Sequence, residues 1–180
     1  KKKIEDDTLG KIISARVVLT WCKPDEYYSL SDWKGTWDIE GGGVLIDQAI
    51  HSVDLANWFI DDEIESVEAH LANRGHSIME VDDTAEGFIR YKGGATLGFW
   101  AMNNYGCDEA IEIRLCCEKG QIENVRGTDK VMLRYNNWNI PEGKEEINCY
   151  EPAWNDKDEE LIKQSGHGGG DYITSRMFLE

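Results

Sequence analysis

Positive charge is scarce in this sequence. Lys and Arg number 19 against 35 Asp and Glu, so the 180 residues carry a formal charge of -16 at pH 7. Such a field repels nucleic-acid phosphates and the anionic face of a membrane, and neither is expected as a partner. Long apolar runs are missing too, since no stretch approaches the roughly 20 residues that span a bilayer. The N-terminus, Lys1-Lys2-Lys3-Ile4-Glu5, leads into no apolar segment and does not read as a signal peptide. The five cysteines, Cys22, Cys107, Cys116, Cys117 and Cys149, form no C-x-x-C pair, which excludes a zinc ribbon or a thioredoxin-type motif. They are expected to be reduced and mostly buried, in a cytoplasmic protein. No internal repeat and no low-complexity segment is found.

What is present is globular. Hydrophobic residues make up 41% and charged residues 30%, and a chain of this length buries enough surface to fold without disulfides or a structural metal. Period-2 alternation predicts a strand over 12–21, with Ile13, Ala15, Val17, Leu19 and Trp21 on one face. Further strands are expected over 65–74, 84–91, 95–102, 109–117, 121–125, 130–136 and 145–150. Lys92-Gly93-Gly94 reads as a hairpin turn. Residues 24–40 have no clean period and read as a loop packed over something. One helix, a run of strands, then a helix near Asp171 argues for an α+β fold, a mainly antiparallel open-faced sheet with helices on one face. The mixed second faces of the strands suggest a subunit contact there.

The helix expected over 44–60 carries the chemistry. Advancing about 100° per residue, Leu45, Ile46, Ala49, Ile50, Val53, Ala56 and Ile60 make a core stripe. Asp47, His51, Asp54 and Trp58 make a second, narrow stripe. Three readings stay open. The stripe could be a solvated face with an Asp47–His51 pair, weak when exposed. It could contribute to a metal site, although the other histidines lack ligand spacing and no metal is expected. It could serve acid–base chemistry, the carboxylate favouring a protonated His51 and fixing its tautomer.

Two glycine clusters flank expected helices. Gly41-Gly42-Gly43 could present free N–H groups to an anion, or could simply clear a tight turn. It is no dinucleotide fingerprint, because no hydrophobic strand leads into it and the spacing is wrong. Gly166-His167-Gly168-Gly169-Gly170-Asp171 puts His167 on a loop where a ligand could approach closely.

The run Lys34-Gly35-Thr36-Trp37-Asp38-Ile39-Glu40-Gly41-Gly42-Gly43-Val44-Leu45-Ile46-Asp47-Gln48-Ala49-Ile50-His51-Ser52-Val53-Asp54 resembles the central motif of the Gfo/Idh/MocA oxidoreductases. Val81-Asp82-Asp83-Thr84-Ala85, with Lys92-Gly93-Gly94-Ala95 after it, is similar to the family's next signature. Leu9-Gly10-Lys11-Ile12 resembles the join between its two domains. The resemblance implies a single C-terminal domain over 1–180, with the N-terminal Rossmann domain outside this chain. The missing initial Met and the end within an expected helix agree with a piece of a larger protein.

The resemblance further implies an NAD- or NADP-dependent enzyme acting on a sugar or cyclitol hydroxyl, the cofactor held mainly by the other domain. His51 would take the hydroxyl proton, and Asp47 would orient His51 and hydrogen-bond the substrate. Asp54, Trp37 and His167 are the candidate substrate contacts. A homodimer or tetramer through the open sheet face is expected. The glycine-flanked His167 looks more like the NAD-dependent glycosidase branch, which is one alternative. A non-catalytic ligand-binding or oligomerisation domain is the other.

Overall fold

Almost every alternating segment becomes a strand. The structure is a computed structural model, and it describes residues 2–124, 130–135, 143–148 and 160. The chain divides into two compact units, residues 1–147 and 148–180, and the first is described below. Cys149, His167 and the helix expected near Asp171 lie outside the described residues.

Eight strands form one sheet: β1 Ile12–Thr20, β2 Ile64–Ala72, β3 Thr84–Tyr91, β4 Thr96–Met102, β5 Glu112–Cys117, β6 Gly120–Asn124, β7 Lys130–Tyr135 and β8 Gly143–Asn148. Their order is β2-β3-β4-β1-β5-β6-β7-β8. The first strand in sequence therefore lies inside the sheet. It runs parallel to β4 and antiparallel to β5. The β2–β3, β3–β4, β5–β6 and β6–β7 pairs are antiparallel. The fold is the expected α+β arrangement. At the β3–β4 turn Gly94 sits at φ 94°, and its N–H reaches the Tyr91 carbonyl at 2.9 Å.

Among the described residues of the first unit, three short helical segments and one longer helix accompany the sheet. They are α1 (Lys2–Glu5), α2 (Asp25–Ser29), a π-helical turn (Leu45–Ala49) and α3 (Ile50–Ile60), into which that turn runs directly. Helix α3 lies against β1, β4 and β5. The core forms there: Ala15, Val17 and Leu19 meet Leu97, Phe99, Ala101, Leu115 and Cys117 from the strands, and Val44, Ala49 and Ala56 from the helical side. Each large aliphatic side chain so buried contributes about 1.5–3 kcal/mol.

Three expectations are corrected. Ile13 is 52% exposed, because the β1–β5 register shifts between Ile12 and Ser14 and turns it out of the apolar row. The helical core stripe fails at Ile46 and Ile50, which are 51% and 44% exposed, while Gln48 and Ser52 are buried. A π-helical turn closes i→i+5 rather than i→i+4 bonds, so a wheel of constant angle misplaces the side chains along it. The cysteines are not mostly buried: the described ones are free thiols, but Cys22 and Cys107 are exposed and Cys116 is half-buried, leaving only Cys117 inside.

The other sheet face is open and mixed in character. Arg16, Gly98 and Phe88 stand in one row across the strands, and Glu112, Val18, Trp100 and Glu86 in the next. Phe88 and Trp100 are exposed. The Arg16 Nε donates to Glu112 Oε1 at 2.6 Å. A shallow concavity of about 750 Å³ lies over these side chains.

Candidate functional site

The loop before the helix is tied to the segment that leads into β3. The Glu80 N–H donates to the Gly35 carbonyl at 2.8 Å. The Trp37 indole N–H donates to the Glu80 carbonyl at 2.9 Å. The N–H groups of Glu40 and Gly41 both close on the Thr36 carbonyl at 3.2 Å, a turn that Gly41 completes at φ 80°.

The junction of loop and helix rests on Asp82. The Gly43 N–H donates to Asp82 Oδ1 at 3.0 Å, and the Val44 N–H to the Asp82 carbonyl at 2.9 Å. A Cβ on Gly43 would stand 1.8 Å from that carbonyl oxygen. At Gly43 this favours the clearance reading of the glycine run. Gly43 gives clearance for a neighbouring backbone, and the N–H groups of Gly43 and Val44 already have partners.

Asp47 lies in the π-helical turn and is half-buried. Its Oδ2 accepts from Gln48 Nε2 at 3.1 Å. His51 follows in the first turn of α3 and is exposed, as are Asp54 and Trp58 farther along. The second stripe therefore exists as a surface. Among the described residues, however, no hydrogen bond or ion pair joins Asp47 to His51. Trp37 is 54% exposed, its indole fastened at one edge.

Several residues of this region went unassigned in the sequence. Tyr28 is buried, and its hydroxyl accepts from Asn103 Nδ2 at 2.5 Å. Burial pushes the Tyr28 phenol far up, with the Asp47 carboxylate adding to the effect. Glu40 is half-buried, and its Oε2 accepts the Gly35 N–H at 2.5 Å. Burial raises the Glu40 carboxyl above its ordinary value; the Gly35 bond opposes this and the Asp47 charge adds to it. Asp47 thus sits in a negative neighbourhood.

Beside it lies a second buried unit. Asp83 is fully buried. It accepts the N–H groups of Arg74, Gly75 and His76 at 2.9, 2.7 and 3.2 Å, and the Thr84 hydroxyl at 2.9 Å. The His76 ring places Nδ1 3.1 Å from Asp83 Oδ2 and Nε2 2.5 Å from the Lys23 carbonyl. Tyr28 packs edge-on against that ring, with centroids 5.1 Å apart. The Val81-Asp82-Asp83-Thr84 run was visible as a motif, but no periodicity linked it to Gly43 or His76.

The profile of the GFO/IDH/MocA C-terminal domain matches residues 1–123. The chain belongs to the GFO/IDH/MocA family. Among solved structures, it is similar to the WlbA dehydrogenase from Bordetella pertussis in complex with NADH and UDP-GlcNAcA. That match has 32% identity and a TM-score of 0.64, over 70% of this chain and 36% of that one. A levoglucosan dehydrogenase in complex with NADH is similar at 24% identity and a TM-score of 0.70, over 83% of this chain and 42% of the other. An inositol dehydrogenase homolog complexed with NAD+ from Azotobacter vinelandii is similar at 18% identity and a TM-score of 0.69, over 84% of this chain and 41% of the other. The last two likenesses bear on the fold alone. No curated protein sequence matches. This GFO/IDH/MocA chain spans well under half the length of these three structures.

A dinucleotide pyrophosphate does not fit the glycine run of this GFO/IDH/MocA domain. A pyrophosphate needs free N–H groups at a helix start that follows a strand. Here the glycine run follows a loop, and Asp82 takes the N–H groups of Gly43 and Val44. Also among the described residues, no group of three or more His, Cys, Asp or Glu is placed to hold a metal ion, and no helix is long and apolar enough to cross a membrane.

Proposed function

We propose that this chain is the substrate-side domain of an NAD(P)-dependent oxidoreductase that acts on a sugar or cyclitol hydroxyl. The observation that supports it best is the helix start itself. In a chain of this family, an exposed imidazole and a half-buried carboxylate stand one turn apart on a segment fixed from below by Asp82. Dinucleotide bound by a separate N-terminal domain would supply the hydride acceptor. His51 takes the hydroxyl proton, as its exposure allows. Asp47 keeps its charge close to the imidazolium that forms and accepts a second substrate hydroxyl. Asp54 stands one turn farther along the same surface. The Trp37 ring, held by its indole N–H, offers a face on which a sugar can stack.

The open sheet face, with Phe88 and Trp100 uncovered, is the surface on which homodimers or tetramers would assemble. Exposed free thiols at Cys22 and Cys107 suit a reducing, cytoplasmic setting.

The test is turnover by the full-length protein with NAD or NADP. Levoglucosan, myo-inositol and a UDP-linked uronic acid serve as substrates, and the products are identified. Accumulation of reduced cofactor with an oxidised sugar is expected. His51→Ala should lower kcat by about 100- to 10,000-fold, the usual contribution of a positioned base. Wild-type turnover by that variant would remove the assignment. Release of an aglycone without net cofactor reduction would transfer the chain to the glycosidase branch.

A further inference from the structure

We propose that Asp82 is a positioning residue for the proton transfer at Asp47 and His51. This rests on the oxidoreductase reading above. Asp82 is 4% exposed, far from the fully solvated state an aspartate prefers. Its carboxylate and its carbonyl hold successive N–H groups of the loop–helix junction, Gly43 at 3.0 Å and Val44 at 2.9 Å. The Gly43 carbonyl in turn accepts the Asp47 N–H at 2.9 Å. Two hydrogen bonds therefore connect the Asp82 side chain to the Asp47 backbone, and His51 follows one turn later.

The base of this connection is rigid. The adjoining Asp83 backbone donates to the Ala72 carbonyl at 3.1 Å and accepts the Asn103 N–H at 3.0 Å. Its buried side chain gathers the N–H groups of residues 74–76, the Thr84 hydroxyl and the His76 ring. Asp82 is thus fixed to the ends of β2 and β4, and it sets the helix start relative to the sheet.

The contact is also close on both sides. Gly43 lies so near that a Cβ there would overlap the Asp82 carbonyl. The second carboxylate oxygen, Oδ2, is buried and has no hydrogen-bond partner among the described residues.

The role predicts a division between binding and turnover. A base displaced by a fraction of an ångström still lets substrate bind, but it loses the alignment that proton transfer needs. In the full-length protein, assayed with NAD and whichever of levoglucosan or myo-inositol turns over faster, Asp82→Ala should lower kcat by about 10- to 100-fold. KM for the sugar and for NAD should each stay within about threefold. Asp82→Asn keeps an oxygen for the Gly43 N–H, and it should recover kcat to within about fivefold of wild type. Wild-type kcat in the alanine variant, a loss confined to KM, or equal losses in both variants would overturn the proposal.

Should the alanine variant fail to fold, Asp82→Leu, which fills the space but offers no acceptor to the Gly43 N–H, takes its place. Faster amide exchange across 43–51 than in Asp82→Asn, with a kcat loss of about 10- to 100-fold, supports the role. Wild-type kcat in the leucine variant refutes it. The underlying reading fails separately. If His51→Ala keeps wild-type turnover, the acid–base assignment is wrong. If His51→Ala is impaired while Asp82→Ala turns over normally, the positioning role alone is wrong.

Discussion

Replacing Asp83 by Asn should be among the most damaging isosteric changes in this domain. The carboxylate has no solvent exposure, and its two oxygens receive three backbone N–H groups, the Thr84 hydroxyl and the His76 ring. Arg74 and Gly75 are exposed, so water can replace part of what their N–H groups lose. Thr84 is fully buried and the His76 side chain is 5% exposed, so theirs cannot be replaced. Each hydrogen bond to a buried charged group contributes about 1.5–3 kcal/mol. The Asn oxygen keeps some of the bonds, which leaves about 3–4 kcal/mol. That is a large part of a typical domain's stability of about 5–15 kcal/mol. Urea unfolding should show a midpoint lower by about 1–3 M at neutral pH.

The effect also has a pH signature. Burial pushes the Asp83 carboxyl up, but the bonds from Arg74, Gly75, Thr84 and His76 outweigh it and hold the group below its ordinary value of 3.8. A carboxyl with a depressed folded pKa contributes stability that is fully present above the unfolded value and is lost as pH falls through the folded one. The gap between wild type and variant should therefore be constant near neutrality and shrink in acid below that ordinary value. A loss under about 1 kcal/mol at neutral pH, or a gap that does not narrow in acid, would refute the reasoning.

Two further predictions are simpler. Gly43→Ala should destabilise the domain by about 2–3 kcal/mol, because the new methyl must force the helix start away from the Asp82 carbonyl; differential scanning calorimetry checks it, and an unchanged melting temperature would contradict the 1.8 Å approach. Peptide-mapped iodoacetamide labelling of the native protein should mark Cys22 and Cys107 at once. It should spare Cys117, where burial pushes the thiol up to about 11; rapid native labelling of Cys117 would show that the β5 end is open.

Alternation was a dependable guide wherever one strand face meets the helix. Thr84–Tyr91 was bounded as expected, and Ala15, Val17 and Leu19 are buried together. It misled at Ile13, because a bulge adds a residue without changing the composition around it. The helix was legible as an element, but its faces were not. Nothing in Leu45-Ile46-Asp47-Gln48-Ala49 announces a wider turn, and so Ile46 and Ile50 were given to the core and Gln48 and Ser52 were not. Of the candidate site, Asp47 and His51 were singled out by their spacing and by resemblance to a family motif. Tyr28, Glu40, Asp82 and the His76–Asp83 pair were missed as functional neighbours. Each acts across a turn or between elements, where the separations are 5 to 75 residues and leave no local pattern.

The placement of β1 has a consequence for how the chain is made. Its partners are β4 and β5, so Ser14 must find Thr96 and Val17 must find Ile113. Contacts this distant in sequence close slowly, because a long loop must be ordered before they return any energy. During synthesis, β1 waits with both edges unpaired until β2, β3 and β4 have followed it. The β2–β3–β4 meander, whose neighbours are consecutive, can form while it waits. The centre of the sheet therefore assembles after the β2–β3–β4 side, and the exposed edges of β1 are where this nascent chain most needs shielding.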